Sequence, residues 1–289
     1  MRIYTAGLFC LLSLRLLFID GNINAQDIDT LRVHSKLDLS PLLGEISGMC
    51  FKDDDIYAIN DGGNGAYIFK IDLHTGELLE KFRFYNIRNH DWEELSIYNG
   101  YLYIGDLGNN YGIRKDLAIH RISIDSLHER KPPVLTTGVK YMMQQEYRGG
   151  MHNHEWDCEA MVVTGSGIVC FSKNWKDLIT KMYIVKEGKN NVLNAVDTFN
   201  AGFLITGAYF QNPEKSLYLC GYYKNDTYLL HFKNIDDMGF NTDCTKYIIP
   251  ELKFTQIESV FVRGKYIYLA SERTIINQAI YRIQVSGLK

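Results

Sequence analysis

EELSIYNGYLYIG, residues 93–105, decides how the chain is read. It is an acidic residue, a short apolar strand, an Asn-Gly turn and a second strand with alternating aromatic and aliphatic side chains. Asn-Gly between two alternating runs is a tight hairpin signal. The same sentence recurs four times: SGMCFKDDDIYAI at 47–59, EAMVVTGSGIVCF at 159–171, TGAYFQNPEKSLYLC at 206–220 and ESVFVRGKYIYLA at 258–270. The polar first residue precedes the second strand by nine positions in four copies and by eleven in the fourth, where 211–216 makes a longer turn.

A third strand is expected after each pair, at 67–71, 117–122, 182–185, 227–232 and 279–285, because these stretches keep a period of two. A fourth, more polar strand is expected at 78–85, 138–143, 195–199 and 245–249. The fifth copy reaches Lys289 without one, whereas the strand-like segment 31–37 belongs to no copy. That segment is expected to complete the last unit and close a ring. The polar anchors stand 46, 66, 47 and 52 residues apart. Four-stranded units of this length predict an all-β, five-bladed β-propeller. A six-bladed ring is the alternative; its extra blade would have to fit in 144–157, which is too short. A β-sandwich would not explain one polar residue repeated at one position.

The rest of the chain agrees with a folded protein: 46% of the 289 residues are apolar, 24 are glycine, 20 tyrosine and only five proline. The formal charge is −3 and no Lys/Arg cluster appears, which argues against nucleic acid as a partner. Arg2, a largely apolar run over 3–19 and Ala25 before Gln26 describe a signal peptide over residues 1–25. Residues 26–289 then form one propeller domain, secreted or periplasmic, with a formal charge of −4 once two arginines and one aspartate are removed. Arg15 makes the leader a poor membrane anchor, and no later run has the ~20 apolar residues of a stable membrane span. Five cysteines remain without CxxC spacing, so neither a zinc cluster nor a disulfide framework is implied.

In a propeller the first residues of the innermost strands lie near one mouth of the central channel. Ser47, Glu93, Glu159, Thr206 and Glu258 would converge there. Three carboxylates in a narrow channel repel unless they are protonated or bridged by a cation, and an all-oxygen donor set suits Ca²⁺. The alternative is that these side chains only hydrogen-bond strand ends and water. The loops after each second strand reach the same mouth: NDGGN at 60–64, GDLGNNYGIR at 105–114, SKNW at 172–175, YYKN at 222–225 and SER at 271–273. They would ring it with Asp61 and Asp106 as candidate catalytic acids and Asn64, Asn109, Asn110, Arg114, Lys173 and Arg273 as ligand contacts. A second local repeat, NHDWE at 89–93 and NHEWDCE at 153–159, leads into two innermost strands. There the Trp would pack between blades and the acid before it cap a turn. Zinc at His152 and His154 is the competing reading.

The motifs ExSG at 45–48, NDGGN at 60–64, DWEE at 91–94, GDLGNN at 105–110 with Arg114, and EAM at 159–161 resemble a family of secreted bacterial β-propellers. Many of its members have serine where Gly62 stands. More distantly, the anchor series is similar to that of apyrase-type calcium-activated nucleotidases, five-bladed propellers with a central Ca²⁺; Thr206 replaces a serine. The resemblance implies a calcium-binding propeller. Together with the loops, it leads to a protein that takes a polar small molecule, glycan or peptide at the channel mouth. A Ca²⁺-dependent hydrolase of nucleotides or other phosphoesters is the alternative and a lactonase-like hydrolase the third. In the hydrolase, Arg114, Lys173 and Arg273 would clamp charge and Asp61 or Asp106 would orient water.

Overall fold

The computed structural model describes residues 28–148, 150–235, 239–241 and 243–288. The expected leader and its cleavage point lie outside them. The chain opens with two short strands, β1 (Asp29–Thr30) and β2 (Val33–Asp38). Blade 1 then runs outward through β3 (Ile46–Lys52), β4 (Asp55–Asn60), β5 (Tyr67–Asp72) and β6 (Leu78–Arg83). Blade 2 follows as β7 (Trp92–Tyr98), β8 (Tyr101–Asp106), β9 (Ala118–Ser123) and β10 (Val134–Tyr141). Blade 3 comprises β11 (Cys158–Thr164), β12 (Gly167–Ser172), β13 (Ile179–Val185) and β15 (Asp197–Asn200), with β14 (Asn191–Leu193) inserted before its last strand. Blade 4 is β16 (Leu204–Gln211), β17 (Ser216–Tyr223), β18 (Asp226–Phe232) and β19 (Cys244–Ile248). Blade 5 is β20 (Ile257–Arg263), β21 (Tyr266–Ser271) and β22 (Ala279–Gln284), completed by β2.

The ring is closed in both senses. Innermost strands pack in the order β3, β7, β11, β16, β20 and back to β3. The N-terminal segment pairs antiparallel with β22, with Leu37 opposite Ile280. The architecture is therefore a five-bladed β-propeller, as the repeat predicts. Two strands were not legible: β1 adds to β19 of blade 4, and β14 adds to β10 of blade 2, both in parallel. Each ties one blade to its neighbour: β1 leads into β2 of blade 5, and β14 lies between β13 and β15 of blade 3.

Five apolar layers form the core, one between each pair of adjacent blades. Second strands are therefore covered on both faces, and β4, β8, β12 and β21 are buried along nearly their whole length. Trp92 fills the layer between blades 1 and 2, and the half-buried Trp156 packs on Tyr141 between blades 2 and 3. Both tryptophans take the inter-blade place expected of them. All five cysteines among the described residues are free thiols. No helix among those residues is long and apolar enough to cross a membrane.

Candidate functional site

Every anchor residue is the extra residue of a β-bulge. The innermost and second strands shift register between Ile46 and Gly48, Trp92 and Glu94, Cys158 and Ala160, Ile205 and Gly207, and Ile257 and Ser259. The residue skipped is Ser47, Glu93, Glu159, Thr206 or Glu258 in turn. A bulged residue is released from strand alternation and can be re-aimed, here toward the axis. Ser47, Glu93, Glu159 and Glu258 line one cavity of about 160 Å³ at the channel mouth, together with Asp61, Asn110, Lys173 and Glu272. Thr206 stands apart: its buried hydroxyl donates to the Ile257 carbonyl of the next blade. Ser47 does the equivalent, donating to the Trp92 carbonyl at 2.7 Å. These two hydroxyls join neighbouring blades at the bulge.

Asp61, Asp91 and Glu93 bring carboxylate oxygens within 4.8 Å of one another. Glu93 is 5% exposed, and its Oε1 is buried with no hydrogen-bond partner among the described residues. Two glycines make room for the group. A Cβ on Gly108 would fall 2.0 Å from Glu93 Oε1 and 2.5 Å from Asp91 Oδ2; one on Gly62 would fall 2.2 Å from Asp91 Oδ1. Glycine at position 62 thus lets the backbone lie against Asp91. Burial pushes the Glu93 carboxyl well above its ordinary range, with the negative charges of Asp61 and Glu159 adding to the effect. Burial and the charge of Asp61 raise Asp91 to about 7. Three carboxyls, an orphaned oxygen and a cradle that a Cβ would fill fit a hard, oxygen-ligated divalent cation.

The other half of the mouth has its own cation. Lys173, almost fully buried, sets its ammonium 2.5 Å from Glu159 Oε2. It also lies 4.9 Å from the Trp175 ring and 5.4 Å from the Tyr222 ring. Trp175 stacks on His152 at 3.7 Å and donates its indole N–H to Asp157. Burial, against the attraction of Lys173, pushes Glu258 up to about 8, and burial with the nearby Asp61 charge takes Glu272 to about 7. The mouth is acidic overall, with one internal ammonium already paired.

The remaining sequence candidates are spread more widely. Asp106 faces away from the cavity: it accepts from Arg114 Nη2 at 2.7 Å and from the Asp91 amide at 3.1 Å. Burial alone would raise its carboxyl, but His120 and Arg114 outweigh that and hold it below its ordinary value. Arg114 also contacts Asp116 and the Gly108 carbonyl, so its charge is spent in fixing this loop. Asn109 bonds Asp157 and the Trp156 carbonyl, which lashes blade 2 to blade 3. Asn64 donates to Glu45 and to the Asp61 carbonyl, shaping the loop that carries Asp61. Arg273 lines a different cavity, at the outer junction of blade 5 with β2. The three cations expected to converge as a clamp are therefore not assembled at the mouth.

The zinc reading of the second repeat loses one of its two imidazoles, since His154 uses both ring nitrogens: Nε2 meets the Asn110 carbonyl and Nδ1 accepts from the Trp156 amide. The acids before the tryptophans do not cap turns either. Asp91 joins the carboxylate trio and Glu155 pairs with Lys181; it is Asn89 that accepts from the Trp92 amide. Asp91, expected only as a turn cap, and Glu272, expected in no role, are acids of the site that the sequence does not assign to it. The signal for Asp91 was its place two before an anchor. For Glu272 it was its neighbour Arg273, which strand-end alternation sends to the opposite side.

No family model and no curated protein matches the chain in sequence. Solved structures similar to it include a glucose dehydrogenase, at TM-score 0.49 and 8% identity over 87% of this chain and 99% of that one. A protein described as a putative gluconolactonase is similar at TM-score 0.48 and 10% identity, over 84% and 75% of the two chains. A gluconolactonase from Xanthomonas campestris is similar at TM-score 0.47 and 9% identity, over 90% and 87%. At these levels the site has to be read from its own residues.

Proposed function

We propose that this is an exported propeller that holds one divalent cation, Ca²⁺ by its donor chemistry, between Asp61, Asp91 and Glu93, and binds a polar ligand at the channel mouth without turning it over. The observation that carries the reading is the buried, partnerless Glu93 oxygen beside two further carboxyls. A cation there removes the repulsion that otherwise keeps protons on the group. The ligand, a small polar molecule or the exposed part of a glycan or peptide, would meet the cation on one side and Lys173, Tyr222 and Glu272 on the other. The signal-like sequence of residues 1–25 supports export, and calcium is plentiful outside the cytoplasm. Phosphoester hydrolysis is the weaker reading because Arg114 and Arg273 do not face the mouth and Lys173 is already paired with Glu159.

Calcium titration of chelator-treated protein by calorimetry at pH 8 tests this. One site per chain is expected, with at least tenfold weaker binding in Glu93→Gln. Absence of heat and of any thermal shift with Ca²⁺, Mg²⁺ or Mn²⁺ would remove the proposal. Incubation with nucleoside di- and triphosphates or sugar lactones should stay at background; turnover lost in Asp61→Asn would replace the binding reading with a hydrolytic one.

A further inference from the structure

The cavity at the mouth, about 160 Å³, is smaller than the ~300–1,000 Å³ of a small-molecule pocket, so it admits one side chain or one substituent of a larger molecule. The charges left in it say which. The cation of the proposed site takes Asp61, Asp91 and Glu93, and Lys173 is paired with Glu159. Glu258, 7% exposed, and the half-buried Glu272 also line the cavity, and neither makes an ion pair among the described residues. Gln256 gives Glu258 a hydrogen bond but no charge. Outside the cavity the surface changes character, because its wall residues have exposed apolar neighbours along the chain. Tyr111 follows Asn110, Met151 precedes His152, Tyr223 follows Tyr222, and Ile275, 88% exposed, comes three after Glu272. These side chains form two arcs. In the first, the His152 amide donates to the Asn110 carbonyl at 3.1 Å, which joins the blade 2 loop carrying Tyr111 and Ile113 to the segment carrying Met151. In the second, the Phe254 amide donates to the Asn225 carbonyl at 2.8 Å and the Thr274 hydroxyl to the Phe254 carbonyl at 3.1 Å, which joins Tyr223, Phe254 and Ile275 across blades 4 and 5. Phe254 is held half-exposed at φ +66°, a left-handed conformation that bulky residues rarely adopt.

Exposed apolar side chains gathered around a polar pocket mark a surface that another macromolecule covers. Two carboxylates without a cationic partner, in a cavity sized for one side chain, call for a lysine or arginine, and a single anchor of that kind set among apolar contacts is how protein interfaces concentrate their affinity. An anionic bilayer would be repelled by the same acids. We propose that the mouth face docks a protein partner that inserts one lysine or arginine side chain between Glu258 and Glu272 and lays apolar residues on either side of it over the two arcs. The inference rests on the cation site at the mouth, since the cation is what leaves these two carboxylates as the ones to be matched. It narrows the polar ligand of that site to a basic side chain on a peptide segment.

The test selects random dodecapeptides displayed on phage against the calcium-loaded protein. The selected sequences should share a lysine or arginine with apolar residues on both sides. A selected peptide, labelled and followed by fluorescence anisotropy, should bind at least tenfold more weakly when its basic residue is replaced by norleucine. The same loss is expected with Glu272→Gln, Ile275→Asp or Tyr223→Asp in the protein. Ile275→Asp and Tyr223→Asp lie outside the cation site, so their calcium binding by calorimetry should be unchanged. Selection of no sequence family, selection of one without a basic residue, or an affinity unmoved by Glu272→Gln would overturn the inference. Sedimentation with phosphatidylcholine–phosphatidylglycerol vesicles that Ile275→Asp abolishes would also overturn it, by giving the rim to a bilayer; self-association abolished by the same change would give it to a second copy of the chain. Calcium binding without peptide binding would remove this inference and leave the cation in place, whereas peptide binding without calcium binding would remove the cation alone.

Discussion

Raising the pH of the cation-free protein from 5.5 to 8.5 should destabilise it, and a divalent cation should cancel the loss. The carboxyl of Asp91 is lifted from 3.8 to about 7 by burial and by the charge of Asp61. In the unfolded chain the same group is ionised throughout this window, so the folded state binds more protons. Stability is then greatest on the acid side and is lost as the pH rises through about 7. Between pH 5.5 and 7 that is about 1.5 pH units at about 1.4 kcal/mol each, or ~2 kcal/mol from this one group. Glu272 at about 7 and Glu258 at about 8 act in the same direction, the second extending the loss to higher pH. For a domain of this size ~2 kcal/mol corresponds to a fall in Tm of roughly 4–8 °C. Cation at a hundredfold excess over its Kd adds about 2.7 kcal/mol, and more as the pH rises, because the competing protons have left. The assay is thermal or denaturant unfolding at half-unit pH intervals, with chelator and with calcium. The two curves should lie closest near pH 5.5 and separate as the pH rises through about 7. A flat profile in chelator, or two parallel curves, would refute the account of the mouth.

Two substitutions probe the walls of the site. Gly108→Ala would put a methyl 2.0 Å from Glu93 Oε1 and so should weaken calcium at least tenfold, and cost about 1–3 kcal/mol as the loop shifts, both measurable in one calorimetric and unfolding series. Lys173→Met leaves Glu159 buried without its ammonium; a loss of roughly 3 kcal/mol is expected at pH 8 and a smaller one at pH 5, where Glu159 can take a proton, and equal losses at the two pH values would count against the pairing.

Much of this was local information. The hairpin at 93–105 and its four relatives carry their own turn residues and alternation, so blade number, strand order and the expectation that 31–37 closes the ring all follow from spacing. Ser47, Glu93, Glu159 and Glu258 could be named as mouth residues because a repeat maps equal positions onto equal places. Even so, the reason they point inward, a bulge in every innermost strand, is a relation between two strands and has no signature in either one.

The tertiary structure decided which charges meet. Asp106 is the last residue of β8 and Asp61 the residue just after β4; the second reaches the cavity and the first is consumed by Arg114. Lys173, Arg114 and Arg273 sit on equivalent loops, yet they finish on Glu159, on Asp106 and over a separate cavity. The same holds for β1 and β14, two- and three-residue strands whose pairing exists only because another blade's edge lies alongside. Periodicity fixes the position of a residue along its strand and hence its blade. The direction of a loop side chain and its ion partner depend on the loop from the neighbouring blade, which is distant in sequence and is brought close only when the ring closes.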